Sequence, residues 1–487
     1  MHGVNKKHQM LLFPVDKHLP LLLNLWTGAS VPGFDLRVIS RSSVSTASSS
    51  PSHHGLRRVL GLRDLVLLIL GTVIGSGIFL VPGVVLKDVG NSLSLALSVW
   101  LLGGVLSLLG ALTYGELSAT QPEAGGLYVY IRDCFGRFPA FLFGWVLFFV
   151  VSTGSAATLA VAFSSYLGQI YPLGFWSARL VSLAMIAVIA FVNVRGTRQS
   201  ADLQNLTTTV KILAILAMGA LLLWRGNNFH LGGNEAAAPA LFSSKVSGFG
   251  LAMISVLWAY EGWQYCTYSA GETINAPRDF PLAFLIGVTF LAVIYFFANL
   301  GYVAALGPAG VAGSTRVAAT ALSTAVSPLF AKAVTLAILV SIFSAAHSIV
   351  LTSPRVYYAM AKDGLFFRRL AEIHPRFGTP AFAIAATALW ASVLAITGTF
   401  DQLLTYVVFV GWMFYALAAA SIFVYRRRNQ AEAPAYRVPG YPWTPLAFIA
   451  VIGAVVVNTI VAQPVRAAIG IGVVLTGAPA YLFWRNR

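Results

Sequence analysis

The sequence predicts an all-α polytopic membrane protein of about twelve transmembrane helices, and three observations carry that expectation. Hydrophobic residues make up 57% of the chain and charged residues only 10%, with a mean hydropathy of +0.77. A soluble domain carries about 25% charged residues. Apolar runs of about 18 residues or more follow one another along the chain, each long enough to cross a bilayer. The basic residues gather in short loops after every second run, which all lie on one side. The formal net charge of +16 therefore reads as positive-inside topology and not as a nucleic-acid surface.

The runs fall near 62–87, 94–117, 137–168, 176–194, 204–224, 247–270, 281–306, 332–360, 380–397, 402–425, 444–462 and 466–484. The first, third and eighth exceed the roughly 20 residues that a span requires, which implies tilt or extension beyond the hydrocarbon. Arg57, Arg58 and Arg63 precede the first run; Arg132 and Arg137 follow the second, and Arg195 and Arg198 the fourth. Arg278 follows the sixth, Lys362, Arg368, Arg369 and Arg376 the eighth, and Arg426, Arg427, Arg428 and Arg437 the tenth. Arg485 and Arg487 end the chain. The opposite loops hold only Lys87, Arg225, Lys245, Arg316, Lys332 and Arg466, so both termini are expected on the cytoplasmic side of a plasma or inner membrane. Residues 1–56 differ from the rest: "HLPLLLNLW" is too short to span, and "SRSSVSTASSSPSHH" is serine-rich, so this stretch reads as a disordered cytoplasmic tail or an over-extended start.

Two runs are interrupted. "LLILGTVIGSGIFLVPG" carries Gly71, Gly75, Ser76 and Gly77 at its centre, and "SVLWAYEGWQYCTYSAGE" carries Glu261-Gly262. Glycine is a poor helix former and bares the backbone. These are the first and sixth runs, as expected if repeat one (about 62–224) and repeat two (about 247–425) are inverted copies followed by two extra helices (about 444–484). Unwound backbone inside a membrane is tolerated only where it lines protein or a water cavity. There, freed N–H groups bind an anion and freed carbonyls accept from an ammonium, which is what a zwitterionic amino acid needs. Taken alone, the first-run glycines also fit a small-xxx-small packing interface.

At this point the chain resembles a family. "GTVIGSGIFLVPG", "YGELSATQPEAGGLYVYIRDCFG" (114–136), "WAYEGWQYCTYSAGETINAPRDFP" (258–281) and "LTSPRVYYAMAKDGLFF" (351–367) are similar to blocks of the amino acid–polyamine–organocation superfamily. The resemblance runs from about residue 58 to the C-terminus and looks closest to the L-type amino acid transporter branch and its bacterial relatives. It implies a five-plus-five inverted-repeat core with discontinuous helices 1 and 6 and alternating access. It places a substrate carboxylate on the backbone around Ser76, Gly77 and Ile78. The substrate ammonium falls near the carbonyls of Ile74, Trp258, Ala259 and Glu261. The cradle so implied spans Ile74–Gly75–Ser76–Gly77–Ile78 and Trp258–Ala259–Tyr260–Glu261–Gly262, with Trp258 as an aromatic gate. Glu261 departs from the branch pattern, where a glycine is usual.

Lys211 lies nine residues beyond Asp202, well inside the bilayer, where a charged lysine costs about 2.5–3.5 kcal/mol on insertion scales. The resemblance places it where sodium-coupled relatives hold a cation, bridging the broken first helix to the eighth. Ser341, Ser344 and Ser348 share one face of the eighth run and are candidate partners. Sodium-independent transport follows as the expectation; snorkelling of the lysine is the competing reading. Glu116 and Glu272 read as gate or structural residues of cytoplasmic-side networks, with Arg355 and Lys362 as candidate partners. His347 reads as a hydrogen-bonded packing histidine, with a proton site as the alternative.

No enzyme motif, cofactor fingerprint or metal-ligand spacing stands in the sequence, and the two cysteines, Cys134 and Cys266, offer no disulfide framework. The resemblance brings in animal relatives disulfide-linked to a heavy subunit through the loop after the third helix; here that loop, "SSYLGQIYPLGFW", holds no cysteine, so no such partner is expected. The function read from the chain is sodium-independent exchange or proton-coupled transport of L-amino acids, neutral ones first. A cationic amino acid or polyamine is the runner-up, carried by Glu261. An amino-acid-gated channel or a non-transporting sensor are the readings from other classes.

Overall fold

Every expected apolar run contains helix in the computed structural model, which describes residues 55–228, 242–397, 400–428, 435–462 and 464–485. All of these belong to the unit spanning 50–487. The tail expected over 1–56 lies, up to residue 54, outside the described residues. Among the described residues there is no strand, only an isolated bridge between Leu60 and Thr273.

The first run is two helices, α1 (Leu62–Val73) and α2 (Gly77–Asp88), bent by 49° at their junction. Asp64 starts α1 by accepting the Gly61 N–H at 2.9 Å, placing a carboxylate at the positive end of the helix. Then come α3 (Leu93–Thr120), α4 (Leu127–Phe135), α5 (Arg137–Val146) and α6 (Ser152–Leu167), the last two joined by a π-turn over Leu147–Val151. Next are α7 (Phe175–Arg195) and α8 (Thr197–Arg225). The sixth run is α9 (Phe242–Ala259), an unwound segment, and a 3₁₀ stretch over Trp263–Glu272. Helix α10 (Ala276–Ala312) kinks at Gly307, where φ is +68°, ahead of Pro308. The rest are α11 (Val317–Ala325), α12 (Pro328–Thr352), α13 (Pro354–Lys362), α14 (Ala381–Thr397), α15 (Phe400–Arg428), α16 (Trp443–Ala462) and α17 (Pro464–Arg485).

Eight spans among the described residues are long and apolar enough to cross a membrane, nine if the bent α1–α2 pair counts as one; α14, at 17 residues, falls just short. The protein is thus an integral membrane protein with an all-helical body.

Helix α1 sits at the centre, packed against α8, α10 and α12. Gly71 makes that approach feasible. A Cβ there would lie 1.9 Å from Gln204 Nε2 and 2.4 Å from Thr208 Oγ1, both on α8. The small-residue packing reading of the first run therefore holds at Gly71, alongside the break three residues later. A second tie fixes the start of α1. Arg198 forms a fork on Asp64 at 2.8 and 3.0 Å, and Asn205 Nδ2 donates to the same carboxylate at 2.6 Å.

Candidate substrate site at two helix breaks

The end of α1, the start of α2 and the end of α9 converge on one cavity of about 80 Å³. Gly75, Ser76 and Gly77 line it from the first break, and Trp258, Ala259, Glu261 and Gly262 from the second. Gly262 holds φ at +124°, a conformation that side-chain-bearing residues rarely adopt, and a Cβ there would press on Thr72 at 3.0 Å. The electrostatics follow from the backbone. The N-terminus of α2 presents backbone N–H groups and a positive dipole end, while the C-termini of α1 and α9 present carbonyls and negative ends. One positive and two negative helix ends around a small cavity complement a carboxylate and an ammonium held on one carbon.

Three of the cradle residues expected from sequence do not line this cavity. Ile74 and Ile78 are buried in the core, and Tyr260 packs on Tyr295 and Trp100 with ring centroids 5.1 and 6.0 Å away. The Ile74 carbonyl, expected near a substrate ammonium, instead accepts Lys211 Nζ at 2.6 Å and Ser341 Oγ at 2.9 Å. Those donors occupy both of its lone pairs.

Lys211 is fully buried and does not snorkel. Its ammonium donates to the carbonyls of Gly71 and Ile74, each at 2.6 Å, so that α8 grips the last turn of α1. Ser341 of α12 reaches the same break through Ile74 and Gly75, the latter at 3.2 Å. Ser344 is turned elsewhere, receiving Gln204 Nε2 at 3.0 Å and Thr207 Oγ1 at 3.1 Å; Ser348, one turn further on, is buried. Gln204 also meets His347 Nδ1 at 3.0 Å, so His347 is part of a packed polar cluster between α8 and α12.

Several contributors carry no signal in the sequence. Tyr295 of α10 points its hydroxyl at Val73 O (3.1 Å) and Ala259 O (3.0 Å), the last residues of α1 and α9, and so joins the two breaks. Ser155, Thr158 and Leu159 of α6 and Ala345 and Ile349 of α12 complete the cavity wall. The clustered hydroxyls of "VSTGSAATLA" were the only available hint of a polar face on the third run. Glu261, which faces the cavity, accepts the Tyr415 hydroxyl of α15 at 3.0 Å.

The gate residues separate into two clusters. Arg355 grips Glu272 at 2.6 and 3.0 Å, both side chains fully buried, and Thr197 Oγ1 donates to the same carboxylate at 2.7 Å. Arg355 also bonds the Leu351 carbonyl. Glu116 is held by Arg426 at 2.6 and 2.7 Å and by the Val438 N–H at 2.6 Å, so its partner comes from α15 and not from Arg355 or Lys362. Beside them, Arg132 of α4 bridges Glu123, Asp133 and Asp363. No cluster of metal-ligating side chains stands among the described residues.

A central helix broken at a glycine pair, pinned by a buried lysine and facing a second break, defines a permease core. Residues 60–482 match the amino acid permease family, and the chain belongs to it. It is 32% identical over 441 residues to the serine/threonine exchanger SteT of Bacillus subtilis (strain 168), covering 89% of this chain and 98% of that relative. It is 29% identical over 453 residues to the large neutral amino acids transporter small subunit 2 of Homo sapiens, covering 91% of this chain and 83% of the relative. To the b(0,+)-type amino acid transporter 1 of Homo sapiens it is 30% identical over 407 residues, 82% of each chain.

Proposed function

We propose that this protein is a sodium-independent secondary transporter of L-amino acids, neutral ones first, working by exchange or proton coupling through alternating access. The observation that carries the reading is the Lys211 ammonium on the Gly71 and Ile74 carbonyls, a built-in cation at the base of the broken helix. A fixed charge there leaves no role for a mobile sodium ion at that position. The names of the relatives, an exchanger among them, support amino acids as cargo.

The rest of the reading is one consistent topology. Twelve spans form two inverted five-helix repeats plus α16 and α17, both termini face the cytoplasm of a plasma or inner membrane, and the breaks of helices 1 and 6 form the midplane site. Substrate contacts fall on Gly75, Ser76 and Gly77, with Ala259 and Gly262 opposite and Trp258 closing over the side chain. Glu116–Arg426 and Glu272–Arg355 tie the cytoplasmic ends in the closed arrangement. The chain works without a disulfide-linked heavy subunit, a reading supported by the burial of both Cys134 and Cys266.

A second reading, a cationic amino acid or polyamine as cargo, rests on Glu261. It is the one charged side chain lining the cavity, and Tyr415 is its only hydrogen-bond donor among the described contacts. A competition panel of neutral, cationic and acidic amino acids in proteoliposomes, run for the wild type and Glu261→Gly, decides between them. Neutral competitors displacing label equally in both proteins support the first reading. Cationic competition that disappears in Glu261→Gly supports the second.

A further inference from the structure

A second void, larger than the cavity at the helix breaks, lies beside it among the described residues. A cleft of about 200 Å³ lies between α8 and α12 and is closed by Phe79 of α2 and Leu322 of α11. Its two long walls have matching registers. Ala214, Ala217, Met218 and Leu221 repeat at i, i+3, i+4 and i+7 on α8. Phe330, Ala333, Val334 and Ala337 do the same on α12. The alanines leave the gap that longer side chains would fill. Of all the lining residues, only Lys211 is polar.

The position of the mouth determines what fills the cleft. Ala217 and Ala333 are exposed at it, and the neighbouring Leu213 and Leu336 are 60% and 57% exposed on the outward faces of the same helices. Both helices are membrane spans, so the medium that covers Leu213 and Leu336 is lipid hydrocarbon. Water gains little inside, because a buried water needs 2–4 polar partners and the walls offer one group already committed to two carbonyls. Emptiness forfeits dispersion contacts along every wall. From Lys211 to Leu221 the cleft extends about 15 Å along α8, roughly half the 30 Å hydrocarbon core and so the depth of one leaflet.

We propose that this cleft is a binding site for one acyl chain of the surrounding bilayer, inserted between α8 and α12 with its end against Lys211. The chain keeps water away from the ammonium, which strengthens the bonds to Gly71 and Ile74 in a low-dielectric setting. Bilayer hydrocarbon is thereby in contact with the residue that holds the broken helix.

The test uses the full chain in phosphatidylcholine vesicles containing a lipid with a diazirine in its acyl tail, irradiated and mapped by peptide mass spectrometry. The expected result is label on Met218 and Val334 inside the cleft as well as on Leu213 and Leu336 outside it. In Ala217→Phe with Ala337→Phe, which fills the cleft, label inside is lost and label outside stays. If that double variant does not assemble, Ala337→Leu should reduce the inner label alone. Wild-type label confined to Leu213 and Leu336, or inner label that persists in the filled variant, overturns the proposal.

Discussion

Replacing Lys211 with alanine separates a structural lysine from a working one. In the native chain its ammonium makes two hydrogen bonds of 2.6 Å, to the carbonyls of Gly71 and Ile74. A hydrogen bond from a charged donor is worth about 1.5–3 kcal/mol, so the pair holds the break with about 3–6 kcal/mol. Burying the charge at membrane depth costs about 2.5–3.5 kcal/mol, which cancels most of that sum in overall stability. The two consequences of Lys211→Ala therefore diverge. Folding changes little, because the burial cost disappears with the bonds. The break loses its grip, because Ile74 keeps only Ser341 at 2.9 Å and Gly71 loses its ammonium donor. If about 3 kcal/mol of that grip is needed in the transport-competent arrangement, the rate falls roughly 100-fold at 1.4 kcal/mol per tenfold. The assay is the initial rate of amino acid counterflow in proteoliposomes, read beside thermal unfolding in detergent. Wild-type rates in Lys211→Ala, or a rate loss matched by a parallel loss of folded protein, would refute the reasoning.

Three further outcomes are expected. Tyr295→Phe removes the one hydroxyl shared by Val73 and Ala259, a loss of about 1 kcal/mol; counterflow should slow roughly fivefold with little change in the unfolding temperature. Arg355→Ala leaves the buried Glu272 carboxylate without its counter-charge and should cost about 3–5 kcal/mol by thermal unfolding, while Arg355→Met paired with Glu272→Gln recovers much of that loss. Burial pushes the Cys134 thiol of α4 up to about 11, against smaller opposing effects of the Ser421 side chain and the Arg428 charge. Because the thiolate is the reactive form, maleimide labelling of native protein should be slow at neutral pH and accelerate as pH rises toward that value.

The first-run break, the sixth-run break and Lys211 were all legible in the sequence, for one physical reason. Each is a polar or helix-weakening residue inside an otherwise apolar run, and such residues are costly enough in a membrane to stand out. Tyr295, Gln204 and Thr158 were not legible, because a tyrosine or a threonine is unremarkable in a membrane helix until its partner is known. Tyr295 lies 222 residues from Val73, and no local pattern encodes that meeting. The same limit explains Glu116, whose partner Arg426 is 310 residues away. At Ile74 the sequence marked the right segment but not the right bond, since Lys211 and Ser341 fill its carbonyl first. Glu261 was visible as a departure from the family pattern, and the structure adds that it faces the cavity with Tyr415 as donor.

The central claim, amino acid transport by alternating access with Lys211 in place of sodium, is tested most directly by counterflow in sodium-free proteoliposomes. Vesicles loaded with an unlabelled neutral L-amino acid should take up the labelled form transiently and saturably, at a rate unchanged when sodium is added. Absence of counterflow without sodium, or unitary currents in place of saturable exchange, would contradict it.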